Sequence, residues 1–220
     1  MPKDTFFKLK EDKKRKLTEA FLREFSLKSY DEASITSVVK ELGIAKGSVY
    51  QYFNDKLDLF MYLVGESSKV KQQYVAEIKR EDFDDYWAFF RKLFSEGVKF
   101  DLENPLESHF LHNLPNNLNS PSIKQIYDQF LNQITSAFES MVQYEIDKGY
   151  FRDDLPVKTM AFFLYKSSLL IMEQMELFEG LSPAKSIINK EPVYKGKVDA
   201  LMKTVDNYII ILKKSFDKIN

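Results

Sequence analysis

The sequence predicts an all-α fold, and three observations carry that reading. Proline is absent between Pro2 and Pro105, and Gly and Pro number only seven each. Long breaker-free stretches favour helices over the closely spaced turns of an all-β chain. Alternation of apolar and polar residues is nowhere sustained. Apolar residues recur instead at i, i+3, i+4 and i+7, the spacing that gives a helix one buried stripe.

The elements follow in order. Leu17, Ala20, Phe21 and Phe25 mark a first long helix. Two short helices follow between Ser34 and Phe53, and Leu57, Phe60, Met61 and Val64 stripe a helix over about 55–78. Tyr86, Phe90, Leu93, Phe94 and Val98 stripe the next. Asn104-Pro105, Leu114-Pro115-Asn116-Asn117 and Ser120-Pro121 then bracket a region of short, broken helices. Ile123, Ile126, Tyr127, Phe130, Ile134, Phe138, Met141 and Val142 lie on one long helix that Gly149 ends. Pro156 fits the first position of a helix over about 156–179, which Gly180 and Pro183 terminate. Residues 181–196 read as a loop with one helical turn. Val198, Leu201, Val205, Tyr208 and Leu212 stripe a last helix over about 195–217.

Composition narrows the function. Apolar residues make up 44% and charged residues 30%, a soluble globular balance. The absence of cysteine excludes disulfides, thiolate metal sites and Cys nucleophiles, and agrees with a cytoplasmic location. The N-terminus lacks the apolar core of a signal peptide. Met160–Met172, the most apolar stretch, is interrupted by Lys166 and is shorter than the roughly 20 residues a bilayer requires. No membrane partner is expected. The net charge is −1, but residues 1–56 carry 12 basic against 9 acidic side chains, with a cluster at Lys8, Lys10, Lys13, Lys14, Arg15 and Lys16. A basic end on an acidic body suggests an anionic partner.

Ser34 to Lys56 carries the sharpest pattern. Ser34 is a suitable N-cap, Val38, Val39 and Leu42 form the apolar face of a short helix, and Gly43 supplies the left-handed residue that stops it. Ile44 plugs the corner. A second helix from about Ala45 to Tyr52 turns Val49 inward, with Phe53 beyond it. Two short helices joined by a Gly-containing turn make a helix-turn-helix. On the outward side of the second helix stand Lys46, Gly47, Ser48, Tyr50, Gln51 and Tyr52. That surface suits phosphates and base edges in a major groove.

Residues from about 14 to 66 resemble the N-terminal domain of TetR-family transcriptional regulators. The resemblance rests on Ser34, Val38-Val39, Leu42-Gly43, Lys46-Gly47-Ser48, Val49, Tyr50, Tyr52-Phe53 and Lys56. Val39 and Leu42 depart from the small Ala usual at those positions. A weaker echo is Gly149-Tyr150-Phe151-Arg152-Asp153-Asp154, similar to a turn many members carry before their eighth helix. The resemblance implies a three-helix DNA-binding domain over 1–55 and a ligand-binding and dimerisation domain over 56–220. Lys46 and Gly47 would begin the recognition helix and approach bases. Thr36, Ala45 and Gln51 would reach base edges or adjacent sugars, and Ser34, Ser48, Tyr50, Tyr52 and Lys56 would hold phosphates. The implied partners are a palindromic double-stranded operator, a small apolar or amphipathic effector, and a second copy of the chain docked through the helices near 156–179 and 195–217.

Trp87, Phe90, Phe94, Phe110, Met141, Phe163 and Met172 are the residues expected to line the effector pocket. Effector binding there would repack the bundle against the helix at about 55–78 and spoil the spacing of the paired recognition helices. His109 and His112, with Glu107 nearby, have no further ligand in view, so no metal and no cofactor are expected. The sequence has no Gly-rich phosphate loop, Gly-x-Ser-x-Gly or His-Glu-x-x-His pattern, which points away from an enzyme. The alternative is a helical-bundle adaptor, which would show no salt-sensitive DNA binding.

Overall fold

The computed structural model describes residues 1–218. Among them the helices are, in chain order, α1 (Asp4–Phe7), α2 (Glu11–Leu27), α3 (Ile35–Glu41), α4 (Lys46–Tyr52), α5 (Lys56–Val75), α6 (Tyr86–Glu103), α7 (Pro105–His112), α8 (Leu114–Leu118), α9 (Lys124–Asp147), α10 (Val157–Phe178), α11 (Pro183–Ile188) and α12 (Val198–Phe216). No strand forms among the described residues; a single antiparallel bridge joins Phe151 to Asp217. None of these helices is long and apolar enough to cross a membrane. The expected loop at 181–196 contains a six-residue helix, α11. Pro156 caps α10 from one residue outside rather than opening it.

The chain divides into two compact units. The first comprises residues 1–74, 100–124 and 183–193; the second comprises 75–99, 125–182 and the chain from Tyr194 onward.

In the first unit the stripes of α2 and α5 meet in an aromatic core. Phe60 lies 5.2 Å from Phe25, 5.3 Å from Tyr30 and 5.7 Å from Phe110 between ring centroids, in tilted or edge-on arrangements. Such pairs add about 0.5–1.5 kcal/mol beyond their burial. The carbonyls left over at the end of α2 are satisfied from far along the chain. Asn113 Nδ2 donates to Phe25 O and Lys28 O at 2.8 and 3.0 Å, and Asn117 Nδ2 to Phe25 O at 2.8 Å. The short α7 and α8 therefore serve to close the end of α2. Two further bonds hold the segment after α11: His109 Nε2 donates to Glu191 O at 2.8 Å, and Asp101 Oδ1 accepts from Val193 N at 2.9 Å.

In the second unit Tyr86, Trp87, Phe90, Phe151 and Phe216 form a closed cluster, with Trp87 stacked 5.5 Å from Phe151. Trp87 Nε1 donates to Asp217 Oδ1 at 2.7 Å. Glu145 is wholly buried and takes a two-pronged bond from Arg80, at 2.6 and 2.9 Å, while Arg80 Nη1 donates to Phe83 O. Gly149, at φ +77°, reverses the chain after α9. Beyond it Arg152 grips Asp154, and its backbone N donates to Phe216 O at 2.8 Å. The Gly149–Asp154 turn is thus where the end of α12 is fastened. α10 packs along α12.

Burial pushes the His109 imidazole below its ordinary value, more than the Glu191 carbonyl and the Asp101 carboxylate restore. A base held neutral in the fold costs stability once the unfolded chain can take the proton. Stability should therefore be full above about pH 6.5 and fall as pH drops toward the lowered folded value. Urea denaturation of the wild type should show that loss between pH 7 and 5, and His109→Gln should flatten it.

Candidate nucleic-acid interface

The local sequence builds the helix-turn-helix with few options. Ser34 caps α3 by accepting from Ser37 N at 3.2 Å, and its own N donates to Glu24 Oε1 at 2.8 Å. Glu24, on α2, thereby fixes where α3 starts. Gly43 takes φ +66°, and Gly43 N and Ile44 N close the helix end on Lys40 O and Val39 O. A side chain at that φ would be strained. Val38, Val39, Val49 and Phe53 are buried, so the inner face of the motif is the one the stripe indicated.

The outer face is mixed. Thr36, Ala45, Lys46, Gly47, Tyr50 and Gln51 are exposed, and Ser34, Ser48 and Lys56 are half-buried. Ala45 is the N-cap of α4 rather than its first residue. Lys46 makes no ion pair or hydrogen bond among the described residues, so its ammonium faces solvent uncompensated. A Cβ added at Gly47 would meet no atom within 4 Å. The chain's own packing does not require that glycine, although it costs a helix roughly 0.5–1 kcal/mol relative to Ala.

Two expected positions differ. Tyr52 does not stand outward: it is 6% exposed, its ring 6.2 Å from Phe6, with Lys13 Nζ over it at 6.0 Å. The reason is a partner helix, α1, packed against α4. Lys56 is drawn inward as well. Its Nζ lies 4.7 Å over the Tyr30 ring and 3.5 Å from Asp31 O. Burial lowers the Lys56 ammonium, with Asp31 and Glu24 opposing, and pushes the Tyr30 hydroxyl up to about 12.

Sequence reasoning missed two contributors, Glu24 and the packing of the segment before α2, and placed Lys13 only in the basic cluster. The apolar pair Phe6-Phe7 within a basic stretch was the available signal for the latter. The residues expected to line a pocket are divided between the two units. Phe110 lies in the core of the first unit. Trp87 is 3% exposed and Phe90 is also buried, so both belong to the aromatic cluster of the second unit. Phe94 adjoins Phe90 at 5.1 Å, Phe163 stacks 6.1 Å from Phe216, Met172 Sδ accepts from Tyr194 Oη at 3.0 Å, and Met141 is half-buried on α9.

Residues 17–63 match the family model of bacterial regulatory proteins of the tetR family. The whole chain is similar to a TetR-family transcriptional regulator from Chloroflexus aurantiacus J-10-fl, with 27% identity over 100% of both chains and a TM-score of 0.77. Residues 17–63 thus carry the DNA-binding region of that family, and the chain is a DNA-binding transcriptional regulator. The regulator's fold also resembles the ketosteroid transcriptional regulator KstR2 of Mycobacterium tuberculosis (15% identity, 96% of this chain and 98% of that one, TM-score 0.57). It resembles, too, the regulator FadR of Bacillus subtilis solved with stearoyl-CoA (13% identity, 90% and 96%, TM-score 0.60). No curated protein matches in sequence at a significant level.

Because Gly47 has space beside it, Gly47→Ala should leave the regulator folded and slightly more stable. DNA binding should weaken if the backbone of α4 closes on DNA there, as measured by thermal melting alongside fluorescence anisotropy on operator DNA. Lys46→Ala should keep the fold and relax preference at one base position by about 1–3 kcal/mol, read by selection from random DNA.

Proposed function

We propose that the regulator is a homodimeric, effector-responsive repressor that reads a two-fold symmetric operator through α4. The observation that carries this is the surface of α4. Its exposed side presents a solvent-facing Lys46, a Gly47 with no packing role, and the polar Tyr50 and Gln51. An adaptor that binds no DNA has no use for that combination. Residues 1–55 serve the DNA and 56–220 the effector and the dimer. Thr36 and Ala45 lie beside the base-reading residues, and Ser34, Ser48, Tyr50, Tyr52 and Lys56 hold phosphates. For Tyr52 and Lys56 this role needs the side chain to reach past Phe6 or Tyr30. Work on DNA places the regulator in the cytoplasm, and it needs no cofactor and catalyses no reaction.

The dimer reading is supported by apolar surface. Along α10, Phe162, Phe163, Leu169, Leu170, Leu177 and Phe178 are exposed, and Ile210 and Ile211 are exposed on α12. Contiguous apolar area on packed helices marks an interface. A pair of recognition helices must lie about 34–36 Å apart to enter successive major grooves, which a dimer supplies. Leu177 is 67% exposed, so Leu177→Glu should leave the protomer folded while splitting the dimer. Sedimentation should then give a monomer, and operator affinity should fall roughly 100-fold or more because the two half-sites no longer act together. Leu201 belongs to the protomer's own core, so Leu201→Glu should unfold it instead.

For the effector, the second unit supplies half-buried aromatic and thioether groups, Phe94, Met141 and Met172, of the type that lines small-molecule sites. The stearoyl-CoA held by FadR is amphipathic, and the ketosteroid regulator's fold is shared. An apolar or amphipathic effector should lower operator affinity by about 5–150-fold, and operator DNA must weaken effector binding by the same factor. Titrating a series from long-chain acyl-CoA to neutral steroids with and without operator measures both. Binding without that reciprocal effect would place the sensor elsewhere.

A further inference from the structure

The last turn of α4 is held by residues that precede the DNA-binding motif. α4 has seven residues, and the carbonyls of its final turn have no partner within the helix. The segment over residues 3–6 takes them one after another. Lys3 Nζ donates to Tyr50 O at 2.8 Å, Thr5 Oγ1 donates to Gln51 O, and Lys3 N donates to Tyr52 O at 2.8 Å. The segment is itself anchored. Phe6 is wholly buried, 5.0 Å from Phe53, 5.0 Å from Tyr62 and 6.2 Å from Tyr52. Lys3 also brings a cation to the negative end of the helix, where it is favoured.

These contacts fall on the residues that matter for reading. Tyr50 and Gln51 expose their side chains to the DNA side while their carbonyls are held from behind. The first turn of α4 is fixed differently, by the Gly43 corner and buried Val49. The two ends of the helix are therefore positioned by two separate structures. Only the second, at the Gln51 end, depends on residues 3–6.

We propose that Lys3, Thr5 and Phe6 are positioning residues for operator recognition: a brace that fixes the last turn of α4 and so sets the base preference read by Gln51. The brace acts through α4 and need not touch DNA. It rests on the reading of α4 as the recognition helix.

Three consequences separate the brace from a direct contact or a merely structural role. Losing one side-chain cap should lower operator affinity roughly 3- to 10-fold. Non-specific affinity and its salt slope should stay unchanged, whereas loss of a direct phosphate contact by Lys3 would reduce that slope by about 0.9. The base positions that lose preference should be those that Gln51→Ala blurs, not those that Lys46→Ala blurs. The double variant Thr5→Val with Gln51→Ala should then select the same sequences as Gln51→Ala alone.

The experiment uses the full chain. Wild type, Lys3→Met, Thr5→Val, Phe6→Ala, Lys46→Ala and Gln51→Ala are put through selection from random duplex DNA and titrated on the selected operator and on unrelated DNA across salt. Thermal melting monitors the fold, and Thr5→Val, which removes only a hydroxyl, keeps the test open if Phe6→Ala fails to fold. The brace predicts blurring confined to the Gln51 positions with non-specific binding intact. It is overturned if Thr5→Val and Lys3→Met melt lower yet select as wild type does. It is equally overturned if they weaken operator and unrelated DNA alike with a reduced salt slope. If Lys46→Ala and Gln51→Ala also select as wild type does, the failure lies in the recognition-helix reading itself, and the brace falls with it.

Discussion

Seven residues are too few to make a helix that holds itself. Isolated helices shorter than about 12–15 residues are marginal in water, because nucleation fixes several dihedrals for one hydrogen bond. The proposed DNA-reading surface of this regulator stands on such a helix, so its shape must be imposed from outside. Gly43 sets the entry, Val49 and Phe53 tie the inner face to the core, and Lys3 and Thr5 occupy the carbonyls at the exit. Glu24 does the same for the neighbouring helix by fixing the residue at which α3 begins. The core of the first unit follows from this need. Phe6, Tyr52, Phe53 and Tyr62 form one aromatic cluster directly behind α4, and Phe25, Tyr30, Phe60 and Phe110 form another. Rigid rings lose little freedom on packing, which suits a surface that must hold one geometry.

How much of this was legible in the sequence depends on the range of the interaction. Local signals were read correctly. Gly43, Gly149 and Gly180 all take positive φ at helix ends, and the long stripes became α2, α5, α6, α9, α10 and α12. Ser34 caps as its type and position suggest. The surroundings that the sequence did not reveal are those that a distant segment supplies. Tyr52 is polar enough to face solvent, and α4 alone leaves it there; Phe6, 46 residues earlier, covers it. Lys56 looks like an exposed phosphate clamp until the Tyr30 ring comes beneath it. Trp87 sits on a helix stripe that cannot distinguish pocket from core, and its bond to Asp217 decides for core. No window of 11 to 18 residues contains either partner.

The second unit separates its polar clamps from its apolar surface. Arg80 with Glu145, Arg91 with Asp206 and Lys213 with Asp85 join segments more than 60 residues apart in sequence. Buried pairs such as the first contribute little net stability against an apolar replacement, yet leaving one partner alone is costly. Their effect is to allow a single register between α12 and the segments around α6 and α9. That register leaves Leu177, Phe178, Ile210 and Ile211 in the open. The second unit thus uses charge to fix its own packing and leaves in the open the apolar area on which the proposed dimer would form.

Charge also decides where the affinity for DNA has to come from. The basic run before and within α2 looks like an electrostatic handle, but much of it is already spoken for. Lys14 pairs with Glu11, Lys16 with Asp12, and Arg15 with both Asp12 and Glu19, at 2.7 to 2.9 Å. Such exposed pairs stabilise the helix by only a few tenths of a kcal/mol each, and they subtract from the long-range field. Within residues 1–56, Lys3, Lys8, Lys10, Lys13, Arg23, Lys40, Lys46 and Lys56 form no ion pair among the described residues, on a chain whose net charge is −1. Each neutralised phosphate lowers the logarithm of affinity by about 0.9 per decade of salt and carries no sequence information. The preference for one sequence over bulk DNA must then be carried by base contacts made at short range. Short-range contacts tolerate little displacement, and this is the reason a helix of two turns is held at both of its ends.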